Sequence, residues 1–341
     1  MTLSRTLIIF ALLFTPLIVF SQERGIPVYS DYLTDNLYLL HPSMAGAAQQ
    51  SKVRLTGRTQ WFDVNNAPHL ETISANGRIG DRVGVGGIIY NDRNGRFSQQ
   101  GFFGTFAYHI LMSRDELDLN QLSFGLNVGL VQEGLDESDL IGPGQPADPI
   151  ISGNKQSDFT FNVDLGMSYY FMEFFAHVSA KNLIPQKRDI FSEEFETDNQ
   201  RSYLLSVGYT IVPQYSNWNF EPSIMVQHKE VTNETLGDIN GKAYYNFDWG
   251  QLWGGLSYRR TLSGAEYNAG DFTSNSVSTQ KLQYLTPFLG INYRGFVFAY
   301  TYSYQPNDIV MDNSGYHQIT LGFNFGKNRV TYRCGCPTIN Q

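Results

Sequence analysis

His177, Ser179 and Asn182 lie within six positions of one another in FFAHVSAKN. A base, a hydroxyl nucleophile and an orienting amide are the parts a lipid-hydrolysing membrane enzyme needs, provided they face the bilayer. The surrounding residues argue against that arrangement. Side chains alternate faces along a strand, so Phe174, Ala176, Val178 and Ala180 share one side while His177, Ser179 and Lys181 share the other. If the apolar side faces lipid, the His-Ser pair faces inward, away from bilayer substrate. The expectation is a non-enzymatic chain in which His177 and Lys181 join a polar interior network with inward carboxylates such as Asp164. Gly84, Gly86 and Gly87 do not form a phosphate loop, because no helix follows them; glycines there permit close packing or curvature of a sheet. No His, Asp and Glu cluster has metal-ligand spacing, and no cofactor is expected. Cys334 and Cys336 are separated by one residue. A C-x-C pair closes a strained ring and two sulfurs alone do not make a zinc site, so disulfide, intermolecular bridge, metal ligation and no thiol role at all remain open for them.

The alternation that turns His177 inward recurs along the chain. In FTFNVDLGMSYYF, residues 159, 161, 163, 165, 167, 169 and 171 are apolar, while Asn162, Asp164, Gly166 and Ser168 occupy the other parity. QLSFGLNVGLV, FVFAYTYSY and QITLGFNF read the same way. About fourteen such segments fall between residues 52 and 325, each near the 9 to 11 residues a tilted strand needs to cross a bilayer. Their connections alternate. Gly80-Asp81, Met172-Glu173, 248–250 and Arg294-Gly295 are tight turns, whereas 133–157, 185–201, 261–280 and 306–314 are long and polar. The loop from Glu133 to Ser157 contains GPGQPADP and is expected to lack regular structure. This is the pattern of an all-β, antiparallel transmembrane β-barrel with an even strand number, short periplasmic turns and both termini in the periplasm. Aromatics make up 14% of the chain, with 24 Phe and 21 Tyr. Those at strand ends, including Trp61, Trp218, Trp249, Tyr258 and Tyr293, suit the two membrane interfaces.

Residues 1–21 pair a basic Arg5 with an apolar run from Leu7 to Phe20 and a small Ser21, the layout of a cleaved secretory signal. Export, alternation and aromatic richness together place the expected barrel in a bacterial outer membrane. A net charge of -8 with no Lys/Arg cluster argues against a nucleic-acid partner. Residues 22–51 lack strand alternation and carry Pro42 and Gly46 as breakers. They either hang in the periplasm or fold into the barrel as a plug, and their Tyr and Leu content favours the plug because those side chains are costly to leave in water. Residues 52–325 form the barrel and 326–341 a periplasmic tail.

The first third of the chain carries Tyr29-Ser30-x-Tyr32, Asn36, HPSMAG from His41 to Gly46, RTQW from Arg58 to Trp61, Ala67-Pro68, and VGVGGIIYND followed by Asn94-Gly95. In order and spacing these resemble the PorP/SprF family of Bacteroidota outer-membrane proteins linked to type IX secretion and gliding, with His41 standing where the family motif N-P-x-x-A-G has Asn. The resemblance implies a partner for a secreted surface protein such as a gliding adhesin. It would engage that protein's C-terminal sorting region for export or surface attachment, alongside other type IX secretion components. It also marks Asn36, Pro42, Gly46, Arg58, Trp61 and Pro68 as organisers of the plug and first hairpin, while parity alone marks Asp164, His177 and Lys181 as polar lumen residues. The competing expectation is a transporter of hydrophobic small molecules similar to the long-chain fatty-acid channels. An apolar pocket against the N-terminal segment would favour it; a polar or sealed lumen would favour the partner. A general diffusion porin is disfavoured by the plug-like segment.

Overall fold

The computed structural model describes residues 36–60, 66–113, 118–138, 154–185, 190, 200–264, 266–268, 277–279, 282–306 and 315–326. Fourteen antiparallel strands close into one barrel. In chain order they are β1 (Ser51–Gln60), β2 (His69–Ile79), β3 (Val83–Asn94), β4 (Phe97–Leu111), β5 (Asn120–Asp136), β6 (Lys155–Phe171), β7 (Phe174–Lys181), β8 (Ser202–Tyr209), β9 (Trp218–Lys229), β10 (Glu234–Phe247) and β11 (Gly250–Ser263), followed by β14 (Gln283–Tyr293), β15 (Phe296–Ser303) and β16 (Tyr316–Phe325). A separate small hairpin, β12 (Glu266–Asn268) with β13 (Val277–Thr279), sits in the connection from β11 to β14. Closure is by β1 on β16, in register from Ser51 opposite Phe325 to Gln60 opposite Tyr316. Closure leaves no unpaired sheet edge, which a strand wall in hydrocarbon requires. No helix among the described residues is long and apolar enough to cross a membrane.

The tight turns lie where the sequence places them, and their backbone explains their residues. Gly80, Met172, Arg294 and Gly295 all adopt positive φ, which two-residue hairpin turns demand and glycine supplies without steric cost. The turns at Gly80-Asp81, Met172-Glu173, 248–250 and Arg294-Gly295 fall at one end of the barrel, whereas the two-residue β3–β4 turn at Gly95-Arg96 closes at the other. β1 begins and β16 ends at the four-turn end. The long connections gather at the opposite end, where the strands outrun the expected boundaries. β5 and β6 each run 17 residues, and Lys155 Nζ closes on Asp136 Oδ2 at 2.9 Å in their last pair. Part of the 133–157 connection expected to be irregular is therefore strand. The apolar/polar contrast fades there because both faces of the ladder are polar, although the backbone pairing continues.

The parity reading holds on the wall. Leu55, Ile73, Ile89, Phe102, Leu130, Leu165 and Leu289 point outward and are exposed, while Thr56, Ser74, Asn127, Ser168 and Thr320 point inward and are buried. At the short-turn end Trp218, Tyr245, Phe247, Trp249 and Tyr293 form a continuous outer run of rings with successive centroids 4.5 to 5.9 Å apart, an aromatic girdle at one interface. Tyr258 is also outward, farther along β11.

Candidate functional site

Residues 36–50 lie inside the barrel against β2 to β8. Two single-turn 3-10 helices shape them, Leu37–Leu39 and Pro42–Met44. Pro42 opens the second turn, where its fixed φ is already suitable and its missing N–H costs nothing. Gly46 ends it at φ 66°, and a Cβ there would stand 2.6 Å from the Gly77 carbonyl oxygen. Leu39, Leu40, Ala45 and Ala47 are fully enclosed; burying each leucine is worth roughly 1.5–3 kcal/mol.

The wall is cut to receive the segment. An added Cβ on Gly84 would overlap the Ala45 carbonyl, one on Gly86 would overlap the Tyr38 hydroxyl, and one on Gly125 would overlap the Pro42–Ser43 peptide. The glycine-rich third strand is thus glycine-rich because the inner segment lies directly on it.

Polar contacts then fix the register. Asn36 Nδ2 donates to Ser74 Oγ at 2.9 Å. His41 meets Ser179 Oγ through Nδ1 at 2.7 Å and Ser206 Oγ through Nε2 at 3.2 Å, one bond to each of two strands. Ser43 Oγ lies 2.6 Å from Ser168 Oγ, which also takes His177 Nδ1 at 2.7 Å. The Gly46 N–H donates to Asn76 Oδ1 at 3.2 Å. Arg78 donates from Nε to the Gly46 carbonyl at 2.8 Å, and from Nη2 to the Ala47 carbonyl at 3.2 Å and to Gln121 Oε1 at 3.0 Å. The Ala45 carbonyl is 3.0 Å from His109 Nε2. A relay runs outward from Tyr38, whose hydroxyl meets Thr105 Oγ1 at 2.5 Å; Thr105 donates to Asn127 Oδ1 at 2.6 Å, and Asn127 Nδ2 to Asp164 Oδ2 at 3.4 Å. Burial drives the His41 pKa well below its ordinary value, and the neighbouring His177 and Lys181 push the same way. His41 is therefore neutral, one ring nitrogen donating and the other accepting.

Asn36, Pro42 and Gly46 thus meet at the segment, as do His177 and Lys181. His177 is bonded to Ser168 and lies 3.4 Å from the Tyr170 hydroxyl rather than facing a carboxylate. Lys181 Nζ donates to the Leu39 carbonyl at 3.3 Å. Asp164 accepts the Asn182 N–H at 2.9 Å. Asp164 and Lys181 share a wall, with Leu39, of a space of about 10 Å³, room for about one water. Ser179, the hydroxyl of the hydrolase-like string, is occupied by His41 and fully buried. Arg58 lies elsewhere, on β1 with its guanidinium 4.1 Å over the Tyr316 ring. The Pro68 carbonyl accepts the Gln60 N–H at 3.0 Å, closing the first hairpin. Trp61, the signal-like residues 1–21, Cys334 and Cys336 lie outside the described residues. Tyr38, Arg78, His109 and Ser206 were not singled out from the sequence. Small and hydroxyl residues at inward positions of neighbouring strands were the available signal.

The opposite side of the lumen has a different character. Arg259 and Asp238 form a buried two-bond pair, at 2.6 and 2.9 Å. Lys242 lies 4.5 and 4.8 Å over the Trp253 and Tyr244 rings, and the Tyr244 hydroxyl donates to Glu221 at 2.9 Å. Among the described residues no group of three or more His, Cys, Asp or Glu side chains is placed to hold a metal ion.

A family profile described as "Type IX secretion system membrane protein PorP/SprF" matches residues 21–323. No curated protein matches the chain significantly. Among solved structures, the Pseudomonas putida toluene transporter TodX is 11% identical at a TM-score of 0.44, covering 92% of this chain and 96% of its own. The CymD monoaromatic hydrocarbon channel is 11% identical at 0.46, covering 90% and 95%. BamA from Haemophilus ducreyi is 9% identical at 0.40, covering 81% and 70%.

Proposed function

The chain belongs to the PorP/SprF family of type IX secretion system membrane proteins, and from that premise we propose that it is a non-catalytic outer-membrane partner of a type IX-secreted surface protein such as a gliding adhesin. It binds the cargo's C-terminal sorting region for export, surface attachment or both. On this reading residues 1–21 are removed on export, the short-turn end faces the periplasm, residues 22–51 plug the barrel, and the long-loop end meets the cargo outside.

The observation that carries the proposal is the polar fastening of residues 36–50 to the wall through Ser74, Thr105, Ser168, Ser179 and Ser206. A channel for hydrophobic small molecules needs an apolar hollow where ligand meets the N-terminal segment. Here the two surfaces are joined by hydrogen bonds, and the space beside Leu39 holds about one water. An inner segment fastened in this way suits a protein that grips a partner better than one that passes a greasy ligand past it.

The test is affinity capture of the tagged barrel from its native outer membrane in mild detergent, with co-purifying chains identified by mass spectrometry. Recovery of an exported surface protein, displaced by its own isolated C-terminal region, is the expected result. Recovery of the barrel alone, or with only small apolar ligands, would transfer the assignment to a transporter.

A further inference from the structure

The outer wall is concave where β16, β1, β2 and β3 meet. A groove of about 430 Å³ opens outward there, its sides formed by Leu55, Ile73, Ile89, Ile319 and Leu321. Its floor is Gly57, around whose absent Cβ no heavy atom lies within 4 Å. Any larger residue at 57 would fill the notch.

Toward the long loops the wall turns polar in two steps. The first outward row is Glu71, Asn91 and Gln100, where Gln100 Nε2 donates to Asn91 Oδ1 at 3.1 Å and Asn91 Nδ2 to Glu71 Oε2 at 3.2 Å. The second row runs across the same strands as His317, Thr59, His69 and Arg93, each opposite the next. Paired residues root their side chains about 5 Å apart, so Arg93 and His69 can reach one anion between them. Arg96 is exposed in the β3–β4 turn just beyond.

This sector carries positive charge that the protein does not itself answer. Arg201 and Lys155, also at the long-loop end, are matched by Glu230 at 3.2 Å and by Asp136 at 2.9 Å, whereas Arg93 is in no ion pair among the described residues. Glu71 stands one outward row deeper, about 7 Å along the strand, and its carboxylate already accepts the Asn91 amide. The order from groove to loops is therefore apolar notch, hydrogen-bonding row, cations.

The proposed orientation puts the long loops outside, so this border lies in the outer leaflet, where the lipid is a phosphorylated glycolipid. Lipid A matches the three levels in order. Its acyl chains suit the notch, the amide and hydroxyl groups at the heads of those chains suit Glu71, Asn91 and Gln100, and its phosphate suits Arg93 and His69. We propose that this groove is a specific site for one lipid A molecule, with an acyl chain over Gly57 and a phosphate held by Arg93 and His69. The proposal rests on the reading that the long-loop end faces outward.

The full-length barrel, purified and stripped of lipid in detergent, is titrated with bisphosphorylated lipid A or with the same lipid A after removal of its phosphates, and read by native mass spectrometry. One bound bisphosphorylated molecule is expected, retained about fivefold over the dephosphorylated form, the upper range of an exposed charge pair. Arg93→Gln should abolish that preference, while Arg201→Gln, which removes a charge already matched by Glu230, should keep it. Gly57→Leu should reduce retention of both forms. Equal retention of the two forms by the native chain, an unchanged preference in Arg93→Gln, or its equal loss in Arg201→Gln means annular lipid only and overturns the proposal. A folded Gly57→Leu that retains both forms as the native chain does overturns it as well. Loss of heat-modifiable migration identifies a misfolded Gly57→Leu, in which case Arg93→Gln decides alone. Orientation is read separately, with antibody to an epitope inserted between Val231 and Thr232 in the β9–β10 turn, on intact cells. Labelled cells without a lipid A preference in detergent put the failure at the groove; unlabelled cells put it in the orientation and overturn the proposal with it.

Discussion

The His41 ring stacks on the His177 ring, centroids 4.8 Å apart and planes 27° apart, so that an imidazole of the inner segment lies flat on an imidazole of β7. Both are fully buried, and each is hydrogen-bonded to serine hydroxyls of the wall. The stack joins the segment to the barrel through groups that can each acquire a proton.

That arrangement makes docking of residues 36–50 depend on pH. Inside the barrel the His41 pKa is held well down by burial, and by His177 and Lys181 beside it. Released, the imidazole returns to about 6.5. The released state therefore binds the proton first, so docking is strongest above about pH 6.5 and weakens progressively as pH falls below it. Protease cleavage within the N-terminal segment of purified barrel, followed from pH 8 to pH 4.5, should rise on acidification. His41→Asn keeps a polar group for Ser179 without a titrating ring, and should reduce that rise, leaving the share that His177 and His109 contribute.

A second expectation concerns the glycines under the segment. Gly125→Val should displace Pro42 and Ser43, because its Cβ overlaps their peptide. Overpacking of this kind costs about 1–3 kcal/mol. Gly241→Ala is the control, since an added Cβ there meets no heavy atom within 4 Å. The valine variant should still run as a heat-modifiable barrel yet expose its N-terminus to protease; an unchanged digestion pattern would contradict the observed packing.

The strand pattern was legible in the sequence because lipid on one side and polar filling on the other impose a strict period of two. His177 and Ser179 could be turned inward from Val178 and Ala180 alone. The seating of the inner segment was less legible. Gly84, Gly86 and Gly125 meet Ala45, Tyr38 and Pro42 across sequence separations of about 40 to 80 residues, and no local pattern encodes which glycine meets which carbonyl. The expected pairing of His177 with a carboxylate fails for the same reason. Parity places both side chains in the lumen without setting their heights, and Ser168 stands directly opposite His177 on β6. The extension of β5 to Asp136 escaped notice because the strand leaves the lipid zone, and with it the alternation that reveals strands.

The buried Arg259–Asp238 pair sits far from the segment and should behave independently of it. Removing one partner leaves an uncompensated charge in the lumen, at a cost of about 3–5 kcal/mol, whereas replacing both together should cost much less. Urea unfolding of Arg259→Gln, Asp238→Asn and the double variant in detergent should show the double variant more stable than the Arg259→Gln single variant. Simple additivity would mean that water or another cation already screens the pair.

Arg78 offers the test that separates the role of the segment from the stability of the wall. Its guanidinium spans the carbonyls of Gly46 and Ala47 and the amide of Gln121, a planar set that the ammonium of a lysine cannot reproduce. Arg78→Lys keeps the charge and the strand, so the barrel should assemble at normal levels while the short-turn end of the segment loosens. If residues 36–50 are what close this side of the lumen, cells carrying the variant should admit a hydrophilic antibiotic that the outer membrane normally excludes. Adding Gly125→Val should increase the leak further, because it releases Pro42 and Ser43 next to the Gly46 and Ala47 carbonyls that Arg78 holds. Unchanged permeability with a protease-exposed segment would mean that the barrier lies elsewhere, and would assign the inner segment to bracing the ring that grips the partner.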